Sequence, residues 1–492
     1  MTQRQVGIRH GGFAALAGWA LRGTVLLLLL ALPAASVLAA DDEPPPPPGP
    51  GAMEPPPPTG PADEPPPPPG PDARKPPAAP PARKLPVWDW LKLTGFAEVR
   101  AGVRTQHDPY ERPFSIGETR LHLEHERHLA KLNYKVAGDL LYDPVVDRHA
   151  VNLQTGEGFF DLREAWAQFS PAEFLDVKAG RQILTWGTGD LLFINDLFPK
   201  DWQSFFSGRD VEYLKAPSDA LKTSFFSKIA NLDVVYVPQF DPDRFIRGRR
   251  ISYWSSSLGR RAGRDAVIDA DVPDECFDDS EWAARLSRTI GGYELAAYGY
   301  WGYWKSPGGM DPATGRATFP RLGVYGASAR GPVFRGIGNV EAGYYDSRQD
   351  RAGDDPYVNN SEFRFMVGYE QDLPEIARDL TVGGQYYLEW MADYDDYLRA
   401  LPAGTPSRDE RRHVLTGRIR KMLLNQTLAI SLFGYFSPSD ADAYLRPHAE
   451  YKISDHWRAE LGGNVFFGRY PHTFFGQFER DSNVYLALRY SF

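Results

Sequence analysis

The 492-residue chain has one cysteine, Cys276. That excludes an intrachain disulfide and any cysteine-rich metal site. Long apolar runs are also scarce. The longest, Val25 to Leu32, falls far short of the roughly 18–20 residues that a bilayer-spanning helix needs. A mature chain of this kind can cross a membrane only as a closed barrel. Positive charge is not in excess: the formal net charge of -9 argues against a nucleic-acid binder. No nucleophile elbow and no phosphate-binding loop occurs. The cluster His122, Glu124, His125, Glu126, His128 has metal-ligand composition. On a strand, however, His122 and His128 face one side and His125 the other, so the three cannot converge. The sequence therefore points away from an enzyme and calls for no metal or cofactor.

The amino end is informative. Arg4, Arg9 and Arg22 precede the leucine run, and small residues lead to Ala39 and Ala40. This is the pattern of a secretory signal peptide over 1–40. Residues 41–86 form a proline-rich linker with related blocks starting at Glu43, Glu54 and Glu64. Such proline density forms neither helix nor sheet and favours polyproline II. At about 3.1 Å per residue, Pro44 to Ala82 could reach on the order of 120 Å if fully extended. It is read as a disordered periplasmic spacer, with peptidoglycan or a periplasmic complex as the candidate partner.

From 87 to 492 the pattern changes to alternation. Aromatics are 13% of the chain, and mean hydropathy is -0.43. A barrel hides its lipid face in every second residue, so average hydropathy misses it. About eighteen alternating stretches, from 91–105 through 174–187 to 482–492, are separated by turn chemistry. Their connections alternate between short (Lys228–Ile229, Leu423–Asn425, Ser454–Asp455) and long (188–218, 239–279, 393–408). The expected fold is all-β: a transmembrane antiparallel barrel of about eighteen strands. Leu428, Ile430, Leu432, Leu445, Leu461 and Val465 should meet lipid. Arg446, His448, Glu450, Arg458 and Glu460 should face a hydrated lumen. Trp90, Trp390, Trp457, Tyr490 and Phe492 suit an aromatic girdle.

The last strand, SNVYLALRYSF, ends the chain on Phe492. It resembles the closing strand of Gram-negative outer-membrane barrels, which the barrel assembly machinery of that class recognises. The stretch GRQILTWG places Arg181, Gln182, Trp186 and Gly187 in a pattern similar to a strand-end motif of the alginate-export family and of related porin-like barrels. The resemblance covers roughly 160–202. It implies an outer-membrane location, contact with lipid and lipopolysaccharide, and a substrate-passing barrel.

Three residue groups are candidates for that role. Asp190, Asn195, Asp196, Lys200 and Asp201 lie in a long loop expected to fold inward as a pore constriction. Arg418, Arg420, Arg446, His448, Glu450, Arg458 and Glu460 are candidates for the lumen wall. Arg244, Arg247, Arg249, Arg250, Arg260, Arg261 and Arg264 crowd the longest loop, where guanidinium forks suit phosphates or carboxylates; the alternative is a solvated loop partly neutralised by Asp241, Asp243 and Asp265. The acidic run Asp269 to Asp279 reads as a solvated loop. The expected function is a porin-like channel for hydrophilic solutes, with anions as the candidate preferred class. The rival readings are an export pore for a secreted polysaccharide and a structural or adhesive barrel with a closed lumen.

Overall fold

The computed structural model describes residues 92–147 and 149–492. The signal segment 1–40, the linker 41–86 and Trp90 lie outside the described residues. Eighteen strands form one sheet. They are β1 (Leu93–Arg104), β2 (Phe114–His128), β3 (Asn133–Tyr142), β4 (Phe160–Ala172), β5 (Leu175–Ile183), β6 (Pro217–Phe225), β7 (Asn231–Val237), β8 (Glu281–Ile290) and β9 (Tyr293–Tyr303), followed by β10 (Arg321–Val333), β11 (Gly336–Ser347), β12 (Glu362–Asp372), β13 (Leu380–Met391), β14 (Arg411–Leu423), β15 (Leu428–Ser437), β16 (Asp442–Lys452), β17 (Trp457–Gly468) and β18 (Asn483–Ser491). Each pairs antiparallel with the next. β18 returns to β1, with Ser491 opposite Phe96 and Asn483 opposite Arg104. Phe492 N–H donates to the Gly95 carbonyl at 3.0 Å, so the terminal residue completes the seam. Closure leaves no strand edge unpaired, the condition for a sheet in lipid.

All eighteen expected strands are present. The clearest boundary difference is β5. It ends at Ile183 rather than near 187, because the chain leaves the wall there and turns into the lumen. Connections at one end of the barrel span only two to seven residues. At the β8–β9 turn, Gly291 and Gly292 both take positive φ, 58° and 86°, as a two-residue hairpin turn requires. The other end carries the long loops 105–113, 143–159, 184–216, 238–280, 304–320, 348–361, 392–410 and 469–482; only 438–441 is short there.

Alternation sorts the wall into two faces. On β18, Asn483, Tyr485, Ala487 and Arg489 are buried, while Val484, Leu486, Leu488 and Tyr490 are exposed on the outside. Leu415, Ile419 and Leu461 are likewise exposed outward. Trp457, Tyr490 and Phe492 mark the short-turn rim; Trp282, Trp301 and Trp390 mark the long-loop rim. An apolar band between two aromatic belts is the surface a bilayer requires.

The expectation of a hydrated lumen needs correction. Leu184, Ile194, Phe198, Phe205, Phe206 and Leu214 pack inside the barrel against wall residues that include Tyr345, Met366, Tyr435, Tyr444 and Phe466. Alternation puts polar residues inward, but it cannot reveal that a loop will come in to cover them.

Candidate functional site

The loop 184–216 enters the lumen and meets the wall in several directions. Arg181, Gln182, Trp186 and Gly187 shape its departure. Arg181 ties β5 to the rim through the Leu162 carbonyl at 2.6 Å and Asp219 at 2.9 Å. The fully buried Gln182 amide donates to the Ala220 carbonyl at 2.9 Å. Trp186 packs edge-on against Phe198, with ring centres 5.0 Å apart. Gly187 turns the chain at φ 83°, a conformation that L side chains resist.

Beyond that turn, Glu341 on β11 receives the loop. Its carboxylate accepts from Thr188 N (2.7 Å), Thr188 Oγ1 (3.0 Å), Asn195 N (2.7 Å) and Asn195 Nδ2 (3.1 Å). Glu341 is 1% exposed. The Tyr435 hydroxyl donates to the Leu191 carbonyl at 2.7 Å, and Tyr345 donates to the Ile194 carbonyl at 2.5 Å. Asp190 meets Arg418 through Nη2 and Nε, both at 2.6 Å.

The loop then forms α1 (Trp202–Ser207). Asp201 caps it, accepting from Ser204 N at 2.7 Å, and Gly208 ends it in the left-handed region at φ 92°; both are ordinary helix-end chemistry. A Cβ on Gly208 would lie 2.3 Å from Tyr485 Cδ1, so the helix end sits directly against β18. Arg100 donates to the Gly208 carbonyl at 2.8 Å, and Asn483 donates to the Phe206 carbonyl at 3.2 Å. Arg209 reaches Glu118, Arg163 donates to the Lys215 carbonyl, and Arg489 reaches Asp210 and Glu212. The loop thus contacts β11, β14, β15, β18, β1, β2 and β4.

The loop does fold inward, but most of its candidate residues are spent on internal contacts, even where, as for Asp196 and Lys200, they border a cavity. Asn195, Asp196, Lys200 and Asp201 are buried. Asp196 pairs with Lys200 at 3.1 Å, and the Lys200 ammonium donates to the Phe198 carbonyl at 2.6 Å. Asp201 holds the helix cap and touches Arg244 at 3.3 Å. These charges build the loop. Asp190 alone of the five engages a wall arginine.

The wall candidates lie together on β14, β16 and β17. Arg446 lies over the Phe205 ring at 4.4 Å. Arg458 meets Glu450 at 3.3 Å, and His448 is 3.9 Å from Glu460. Glu460 also accepts from Arg100 at 2.8 Å. Arg420 is exposed on the lumen face, one pleat beyond Arg418 toward the short turns. Three contributors not singled out from the sequence are Glu341, Arg100 and Glu98. Arg100 and Glu98 pair at 2.9 Å, and their one-residue spacing on one strand face was the available signal; Glu341 gave none.

The arginine-rich longest loop needs a second correction. Its guanidinium groups are committed within the protein and do not stand free for phosphate. Arg244 grips Asp161 with two bonds of 2.8 Å. Arg250 meets Asp143 at 2.7 Å, Arg260 meets Asp265 at 2.8 Å, and Arg261 meets Glu479 at 3.0 Å. Arg264 meets Glu111 at 3.3 Å, Arg247 donates to the Ile268 carbonyl, and Arg249 lies 3.8 Å from Glu157. Phe245 packs against Phe319. The acidic run is part of the same mesh, since Arg316 binds Asp269 at 2.7 Å and Asp271 at 2.5 Å. Carboxylates supplied by distant loops turn a solvated basic patch into staples. His122 faces the lumen on Asp139 at 2.6 Å, while His125 contacts Tyr134 at 3.2 Å.

Burial raises two loop carboxyls. Glu111 is pushed up to about 8 by burial and by nearby Asp481, against Arg104 and Arg264. Asp481 is pushed up to about 6 by burial, with Arg104 opposing.

Above the inward loop, at the long-loop end, lies a cavity of about 680 Å³. Its floor includes Phe193, Trp202 and Phe206, and its rim includes Tyr470 and Phe474. Each cation in its wall has a carboxylate partner: Lys200 with Asp196, Lys305 with Glu281, Arg364 and Arg408 with Glu362, and Arg412 with Glu389 and Asp440. Asp243 is held by neutral donors, Lys200 N at 2.7 Å, Trp202 Nε1 at 3.1 Å and Ser306 Oγ at 2.7 Å.

No family model matches the chain, and no curated protein matches it. The resemblance to the alginate-export family gains no support from either. Among solved structures the chain is similar to OccAB3 of Acinetobacter baumannii (11% identity, TM-score 0.48, covering 81% of this chain and 99% of that one). It is also similar to OccD3 (OpdP) of Pseudomonas aeruginosa (10%, 0.46, 81% and 91%) and to Salmonella typhi OmpF in complex with daunomycin (10%, 0.39, 81% and 97%). The functional reading rests on the lumen itself. A closed, even-stranded antiparallel barrel with an apolar band between aromatic belts is a protein of the cell outer membrane.

Proposed function

We propose that the barrel is a porin-like channel for small hydrophilic solutes, narrowed by the inward loop, with the arginine wall favouring anions. One observation carries the reading. The loop divides the lumen into an outer vestibule and an inner wall bearing Arg418, Arg420, Arg446 and Arg458, and Asp190 is the loop carboxylate that meets this wall. Arg420 and Arg446 lack a carboxylate at ion-pair distance among the described residues. Fixed positive charge in a narrow, low-dielectric lumen raises the local concentration of anions. The partners of this reading are lipopolysaccharide at the outer leaflet, the assembly machinery at Phe492, and peptidoglycan or a periplasmic protein for the proline-rich segment 41–86.

The test is single-channel conductance of the refolded mature protein under a salt gradient. The expected result is stable openings with an anion-leaning reversal potential. That potential should move toward cation preference in Arg420→Glu. A silent, heat-stable barrel would overturn the channel reading. It would favour the closed-lumen alternative, which has the loop's many wall contacts in its support. The polysaccharide-export alternative predicts that deleting 44–82 abolishes export in cells, whereas a diffusion channel keeps its conductance without that segment.

A further inference from the structure

We propose that the outer vestibule is a carbohydrate-binding site for neutral sugars of about di- to trisaccharide size. The inference goes beyond the channel reading, because it concerns the outer vestibule and not the arginine wall below the loop. It depends on that reading only in taking the long-loop end as the entrance.

The volume of about 680 Å³ lies within the range of small-molecule sites, roughly 300–1,000 Å³. The chemistry narrows the class. Seven carboxylates line the vestibule, Asp196, Asp243, Glu362, Glu389, Asp409, Glu410 and Asp440, against the five cations Lys200, Lys305, Arg364, Arg408 and Arg412, so an anionic ligand meets net negative charge. Sugars instead need flat aromatic faces for their C–H surfaces, with hydrogen-bond donors and acceptors nearby. The vestibule offers all three. Trp202 lies on its floor with one face stacked on Phe206, while Tyr470 and Phe474 stand at its rim, 43% and 45% exposed, Tyr470 stacked on His472 and Phe474 under Arg412 at 5.1 Å, so the opposite faces are the ones on offer. Acceptors come from Asp409 and Glu410 at the rim. Donors come from Arg408, whose side chain is half exposed. The buried Trp304 in the wall has an indole N–H with no hydrogen-bond partner among the described residues, and a buried polar group usually finds one.

The test uses the full mature protein refolded in detergent. Sucrose and raffinose are titrated by calorimetry and by intrinsic tryptophan fluorescence, with spermidine and succinate as cationic and anionic controls. The expected result is millimolar sugar binding, weakened at least tenfold in the double variant Tyr470→Ala, Phe474→Ala. Both rings project from a loop and leave the barrel seam intact. Asp409→Asn with Glu410→Gln should keep most sugar affinity, because amides still hydrogen-bond hydroxyls. Spermidine binding that exceeds sugar binding and vanishes in the amide variant would overturn the proposal in favour of a cation site. Sugar binding that the aromatic variant leaves unchanged, or no sugar binding at all, would also overturn it. Because binding is read without current, a silent barrel that binds raffinose sinks the channel reading alone, and a conducting barrel that ignores it sinks the sugar site alone.

Discussion

Glu341 offers the sharpest perturbation. It is a buried carboxylate with four donors and, among the described residues, no cation at ion-pair distance: Thr188 N and Oγ1 on one oxygen, Asn195 N and Nδ2 on the other. Glu341→Ala leaves two buried backbone N–H groups and the Thr188 hydroxyl without their acceptor, while Asn195 Nδ2 keeps the Ala342 carbonyl at 3.1 Å. Each unsatisfied buried group costs about 1–3 kcal/mol, and such costs are not additive. A net loss of about 4 kcal/mol for the docking of 188–195 is the working figure. At 1.4 kcal/mol per tenfold, that raises the undocked population by roughly 10³. Glu341→Gln is a graded control. Its NH₂ group must face either the Asn195 donors or the Thr188 N–H, so about half the bonds survive. A loss of about 2 kcal/mol and roughly a 30-fold shift follow. The remaining anchors on Arg418, Arg100 and Arg489 keep the rest of the loop in place. The assay is single-channel recording together with heat-modifiable mobility to confirm a folded barrel. Larger, noisier openings should appear in the order wild type, Gln, Ala. A folded Ala variant with wild-type conductance and noise would refute the claim that Glu341 holds the constriction.

Three further outcomes are expected. Glu111 and Asp481 have folded pKa values raised to about 8 and about 6, so their contribution is full below the ordinary carboxyl range and is lost as pH rises through those values. Protection of the outer loops from added protease should therefore fall between pH 5 and 8.5, with the alkaline part absent in Glu111→Gln. Leu486→Arg places a charge on the lipid face and should cost about 2–4 kcal/mol if it lies at mid-membrane, read by urea titration of folding into vesicles; an unchanged midpoint would contradict the face assignment. Gly208→Ala combines a left-handed φ with a 2.3 Å approach to Tyr485. It should displace α1 and raise conductance while leaving the barrel heat-stable.

Strands and faces were legible in the sequence because each is a local, period-two property. A residue such as Leu461 meets lipid whatever its neighbours do, and the alternation around it records that. The closing seam at Phe492 and the sidedness of the loops were legible for the same reason. The lumen was only half legible. Arg418 and Asp190 were each identifiable as candidates, but their pairing spans 228 residues. Glu341 carried no signal, because its partners Thr188 and Asn195 are neutral and about 150 positions away.

The sequence by itself determined a barrel of about eighteen strands with its inward and outward residues. Only the tertiary structure decided how the lumen is filled. It turned the arginines of the longest loop from a ligand surface into internal staples, buried Asn195, Asp196, Lys200 and Asp201 within the loop, and made a vestibule where the sequence gives separate loops. The physical reason is range: backbone alternation is set by adjacent residues, whereas the partner of a charged or aromatic side chain inside a barrel arrives from whichever strand or loop closure brings opposite.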